Sequence, residues 1–94
     1  MERSPYRPTV IFRAYLRDPQ QRVSDKTITG DKTVAIAAFT ALVERRDLDG
    51  TAMLAVLNHD GRPIAYHDFR LRKDGSPHDP AKYWRGKTRE ICAI

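Results

Sequence analysis

Histidine is followed by aspartate three times in this 94-residue chain, at His59-Asp60, His67-Asp68 and His78-Asp79. An imidazole beside a carboxylate is the raw material of a general base or a metal site. The placement argues against both. His59 falls in a predicted hairpin turn and His78 in a predicted loop, so only His67 rides on a strand, and no HExxH pattern accompanies them. The enzymatic reading these residues allow is a minimal metal-dependent nuclease using His67, Asp68 and a second His-Asp pair. Nucleophiles offer less. Ser4, Ser24 and Ser76 lack a glycine elbow, and Cys92 stands near a terminus that tends to fray. Gly30, Gly50, Gly61, Gly75 and Gly86 all fall at predicted turns, so no phosphate cradle emerges. The expectation is a protein that is not an enzyme and uses no cofactor, metal or small-molecule substrate.

Basic residues interleaved with aromatics are the more informative feature. Arg13, Tyr15 and Arg17 alternate along the first predicted strand. Arg70, Arg72 and Lys73 follow the last one, and Lys82, Tyr83, Trp84, Arg85, Lys87 and Arg89 come after them. Arginine forks grip phosphates or carboxylates with two parallel bonds, and aromatic rings supply stacking area. Arg and Trp also dominate the energetic centres of protein–protein interfaces. Alternatively, Tyr83 and Trp84 pin the C-terminal segment to the sheet. The net charge of +5 is uneven: residues 1–30 carry +3, residues 31–69 carry −2 and residues 70–94 carry +4. If the two ends meet in space they make one basic surface.

The elements that must position these residues can be read in order. Val10, Phe12, Ala14 and Leu16 alternate with Ile11, Arg13, Tyr15 and Arg17, which predicts a strand with one buried face. Asp18-Pro19-Gln20-Gln21 has turn chemistry, and residues 22–29 read as a polar edge strand. Asp31 is a good helix cap. Residues 32–46 follow without Pro or Gly, with Ala35, Ile36, Phe39, Leu42 and Val43 on one apolar stripe and Ala37 and Ala41 facing outward. Residues 51–58 are apolar on both faces, as in a central strand, and Asp60-Gly61 predicts a tight hairpin into residues 63–70. Beyond Leu71 the chain reads as a polar loop, one helical turn at residues 81–85, and a docking strand at residues 89–94.

The sum is one α+β domain spanning residues 1–94. A β-β-α-β-β core at residues 9–70 forms a four-stranded, mostly antiparallel sheet with one helix on one face, followed by a basic loop and docking segment at residues 71–94. No apolar run is long enough for a membrane span, and MERSPYRP lacks a signal-peptide core. One cysteine among 94 residues allows no internal disulfide, so the cytosol is the expected compartment.

The stretch from Leu48-Asp49-Gly50 through Asn58-His59-Asp60-Gly61 to Asp68-Phe69 resembles small accessory proteins of plasmids, phages and integrative elements. The β-β-α-β-β order is similar to that of some anti-CRISPR proteins, and the likeness covers roughly residues 9–70. It implies a stoichiometric inhibitor that docks on a CRISPR effector complex and impedes target-DNA recognition. The partner would then be a large protein or nucleoprotein assembly, with direct nucleic-acid contact as the alternative. No site residue carries over from the likeness. The candidate binding residues rest on the basic-aromatic pattern.

Overall fold

The computed structural model describes residues 11–93; the expected start of the first strand, Thr9 and Val10, lies outside them. β1 (Phe12–Arg17) and β2 (Val23–Thr29) pair antiparallel. Asp18 ties the turn between them, its carboxylate accepting from the backbone N–H groups of Gln20 at 2.9 Å and Arg22 at 2.8 Å. Short carboxylates substitute for a backbone turn in this way. α1 (Lys32–Val43), β3 (Leu54–His59) and β4 (Arg62–Asp68) complete the order. The sheet runs β2-β1-β3-β4 with every neighbouring pair antiparallel, and α1 packs on one face. The fold is α+β, a four-stranded antiparallel sheet with one helix against it.

Local chemistry explains most boundaries. The Asp31 carboxylate accepts from the free N–H groups of Thr33 at 2.8 Å and Val34 at 3.3 Å, which caps α1. Ala35, Ile36, Phe39, Leu42 and Val43 are all buried, while Ala37 and Ala41 face out. Asp60 (φ 56°) and Gly61 (φ 84°) both take positive φ, the conformation of a two-residue hairpin turn. α1 stops at Val43 instead of reaching Arg46. Arg45 leaves the helix because its guanidinium is held by Asp47 at 2.8 and 2.9 Å and by Asp25 at 3.1 Å, and residues 46–48 tighten into a 3-10 turn. β3 starts at Leu54 because Gly50 and Thr51 are spent on turn bonds to Phe69 and Leu48.

On the helix-covered face, Phe12, Ala14 and Leu16 of β1 pack with Ala55, Leu57, Ala65, Phe69 and the α1 stripe, and Phe39 is fully enclosed. The C-terminal segment differs from the expectation. Residues 80–82 form a 3-10 turn capped by Asp79, whose carboxylate accepts from the Ala81 N–H at 3.1 Å. Thr88–Ala93 is a 3-10 helix, not a docking strand. It does not run along a sheet edge; it lies beside α1, where the Thr40 and Thr88 hydroxyls are 2.8 Å apart and Ile91 enters the core. One helix cannot cover four strands, and this segment fills the remainder. Among the described residues no helix is long and apolar enough to cross a membrane.

Candidate functional site

The structure divides the basic-aromatic residues into two groups with opposite fates. The first is tied to partners within the fold. Arg85 donates from Nε and Nη2 to the Val43 carbonyl at 3.0 and 2.9 Å, and from Nη1 and Nη2 to Asp49 at 3.0 and 2.7 Å. A helix C-terminus leaves carbonyls without partners and carries partial negative charge, and here a distant arginine satisfies one of them. The Asp49 carboxyl is held below its usual pKa by hydrogen bonds from this guanidinium. Trp84 packs on the core, and its backbone N–H donates to His67 Nδ1 at 3.0 Å. Tyr83 tilts over His67 with ring centroids 4.9 Å apart. Arg70 holds the nearly buried Asp68 through bonds of 2.8 to 3.1 Å. Burial works to raise the Asp68 pKa, but the Arg70 side chain and backbone N–H outweigh it and the pKa is lowered. Arg72, Lys73, Lys87 and Arg89 are exposed and belong to neither group.

The second group stands on the sheet face that α1 leaves uncovered. Strand register groups its residues into rows, because residues paired across neighbouring strands point to the same side. Ile28, Arg13 and Asn58 form one row; Tyr15, Val56 and Tyr66 a second; Val23, Arg17, Leu54 and Asp68 a third. Val56 is fully covered yet lies outside the helix-side core, between the two tyrosines. Asn58 Nδ2 donates to the Tyr15 hydroxyl at 3.2 Å. Ile28 and Val23 are 56% and 47% exposed, so the β2 end of this face is apolar and open to solvent. Among the described residues no carboxylate forms an ion pair with Arg13, Arg17 or Lys82.

Tyr66 also belongs to this face, although it stands outside the basic-aromatic runs of the sequence. Its ring centroid lies 5.9 Å from the Arg17 guanidinium carbon and 5.5 Å from Lys82 Nζ, within cation–π range. A signal existed: β4 alternates, and Tyr66 shares the outward phase of the register that carries Tyr15. A cleft of about 300 Å³ opens beside it. Ile64, Ala65 and Tyr66 line one side and Ala81, Lys82 and Trp84 the other.

The histidines do not converge. His59 stacks on Phe12 with centroids 4.7 Å apart, and His78 is exposed in the loop. His67 is fully enclosed, edge-on to Phe69, and its pKa is lowered to about 4, chiefly by burial and then by the Arg85 charge. With Nδ1 accepting from Trp84, the proton of the neutral ring sits on Nε2, which has no hydrogen-bond partner among the described residues. His67 pairs with Ala55 on the helix side, while its neighbour Asp68 pairs with Leu54 on the other. Strand alternation therefore separates the one His-Asp pair that lies on a strand. Among the described residues no three His, Cys, Asp or Glu side chains are grouped to hold a metal ion.

No protein-family model, curated protein or solved structure matches the chain.

Proposed function

We propose that this chain is a binding protein, not an enzyme, and that its working surface is the helix-free sheet face. The observation that carries the reading is the pairing of an aromatic-apolar centre (Tyr15, Val56 and Tyr66) with two arginines, Arg13 and Arg17, that no described carboxylate holds. Interfaces between proteins are built this way, with a few aromatic and arginine anchors around a water-excluded centre. The particular partner we propose is a CRISPR effector complex, engaged in the cytoplasm of a bacterial host so that target-DNA recognition is impeded. Support for that choice is the likeness of residues 9–70 to accessory proteins of mobile elements and the β-β-α-β-β order shared with some anti-CRISPR proteins.

The test is co-expression with bacterial CRISPR–Cas systems of different types, scoring phage plaques on immune cells and capture of the effector on the tagged protein. The expected result is loss of immunity against one type. Arg13→Glu combined with Tyr15→Ala should restore immunity without lowering the amount of folded protein. Intact immunity across all types would remove this partner.

A second reading is favoured by Arg13, Arg17 and Lys82, which form no ion pair among the described residues: direct binding of nucleic acid. Salt separates the two. For duplex DNA the logarithm of the binding constant falls with log salt at a slope near −0.9 per neutralised phosphate, roughly. A protein surface responds more mildly.

A further inference from the structure

We infer that the cleft between β4 and the 80–84 segment is a site for one nucleotide of a single-stranded nucleic acid, with its base against Trp84 and Tyr66 and its phosphates on Arg17 and Lys82. The inference goes beyond the docking reading and shares only Arg17 and Tyr66 with it. Three observations converge. First, the cleft has the size of a small planar group, about 300 Å³, and two of its walls are aromatic. Second, Arg17 and Lys82 approach the same tyrosine ring, at 5.9 and 5.5 Å, and no described carboxylate pairs with either. A ring quadrupole holds a cation far more weakly than a carboxylate does, so both charges remain available to an anion. Third, no acidic side chain lines the cleft, so a polyanion meets no repulsion within it.

The combination selects the ligand. An acidic peptide would use the cations and leave the aromatic walls idle. A neutral apolar group would use the walls and leave the cations idle. A nucleotide uses both, because every base presents a π-face that stacks on aromatic side chains while the backbone supplies charge. Double-stranded nucleic acid keeps its bases stacked and would not enter. Aromatic stacking with backbone contacts is sequence-tolerant, so little preference among bases follows.

Trp84 is the chain's one tryptophan and lines the cleft, so it is a built-in probe. The experiment titrates the full chain with an oligothymidylate of about eight nucleotides, within the range of site sizes for small single-strand binders. Saturable quenching of Trp84 fluorescence is expected, with a log–log salt slope near −1.4 for about two phosphates at roughly −0.7 each. Lys82→Gln should weaken binding about tenfold and cut the slope by about 0.7. Lys82 is exposed, so the variant keeps the fold, and Tyr66→Leu tests the same site from the sheet side. Inorganic polyphosphate should bind more weakly than the oligonucleotide and leave the fluorescence nearly unchanged. Equal quenching by poly-glutamate would assign the cleft to acidic peptides and overturn the inference. Equal competition by polyphosphate would reduce it to a bare charge patch and overturn it too, as would no quenching at low salt. Effector capture that survives Lys82→Gln but not Arg13→Glu with Tyr15→Ala would leave the docking reading standing if the cleft fails.

Discussion

Arg85 and Arg17 invite comparison: both arginines lie close to an aromatic residue, yet they end in different states. Arg85 is only 11% exposed at its side chain and makes four hydrogen bonds, to the end of α1 and to Asp49. Arg17 has no ion pair among the described residues, and its guanidinium carbon stands 5.9 Å from the centroid of the Tyr66 ring. The difference lies in what waits nearby. Where a helix end and an aspartate already stand in place, an arginine becomes part of the fold. Where the neighbours are Val23, Leu54 and a tyrosine ring, no described carboxylate takes up the charge.

Breaking the inward arginine should have the largest effect on stability. Arg85→Ala leaves the Asp49 carboxylate and the Val43 carbonyl without their partner, and removing one member of such a pair costs about 3 kcal/mol. Chemical denaturation checks it. A loss below about 0.5 kcal/mol would mean that water replaces the clamp, and Arg85 would then belong with Arg17.

Acid should act on the same inward region. The His67 pKa is about 4 in the fold against about 6.5 when unfolded. Between those values the unfolded chain binds the extra proton, so stability is full above pH 6.5 and falls as pH drops toward 4, by up to about 3 kcal/mol. Protonated Nδ1 could no longer accept from Trp84. The carboxylates with lowered pKa, Asp49 and Asp68 among them, begin to lose their contribution as pH falls through the ordinary aspartate value of 3.8, at the acid end of the His67 window. Unfolding curves from pH 7.5 to 4.5 should show the slope in the wild type and a flat line in His67→Phe if that variant folds. Failing that, direct titration of His67 by NMR gives the pKa.

The outward region should behave inversely. Arg13→Glu and Arg17→Glu should change stability by about 1 kcal/mol or less, since neither removes a hydrogen bond or ion pair within the described residues and Arg17 gives up its contact with the Tyr66 ring. Each should weaken partner binding at least tenfold, roughly the effect of losing an interface anchor. A variant that unfolds, or one that binds normally, would break the contrast between the two faces.

How far the residues announced this arrangement depends on the range of the interaction. Asp31 capping, the apolar stripe of α1 and the Asp60-Gly61 turn are set within a few positions, and periodicity alone reaches them. Alternation likewise put Arg13, Tyr15 and Arg17 on one side of β1. The Arg85 clamp joins positions 36 and 42 residues apart, and no local pattern points to it. The same applies to Thr88 against Thr40 and to Ile91 in the core, so the C-terminal segment read as a docking strand when tertiary packing makes it a 3-10 helix. Tyr66 lay within reach, since pairing the outward phases of β1 and β4 across β3 brings it into the row of Tyr15.

The smallest effect is expected where the basic run looks densest in sequence. Lys87 and Arg89 follow Arg85 at two and four residues and share its charge, yet both are exposed, and neither has an ion pair among the described residues. They sit on either side of Thr88, which faces α1, so the segment that carries them lies on the helix side of the sheet. A partner seated on the helix-free face would meet them at most through long-range charge, which salt screens beyond about 10 Å at 0.1 M. Lys87→Glu with Arg89→Glu should therefore leave the melting curve unchanged and alter binding by about twofold or less at that ionic strength, growing modestly at low salt. Including Arg85 in the same charge reversal would confuse the result, because its loss acts on the fold. If the double reversal abolishes binding at 0.1 M salt while Arg13→Glu does not, the working surface is the helix side, and the two regions exchange roles.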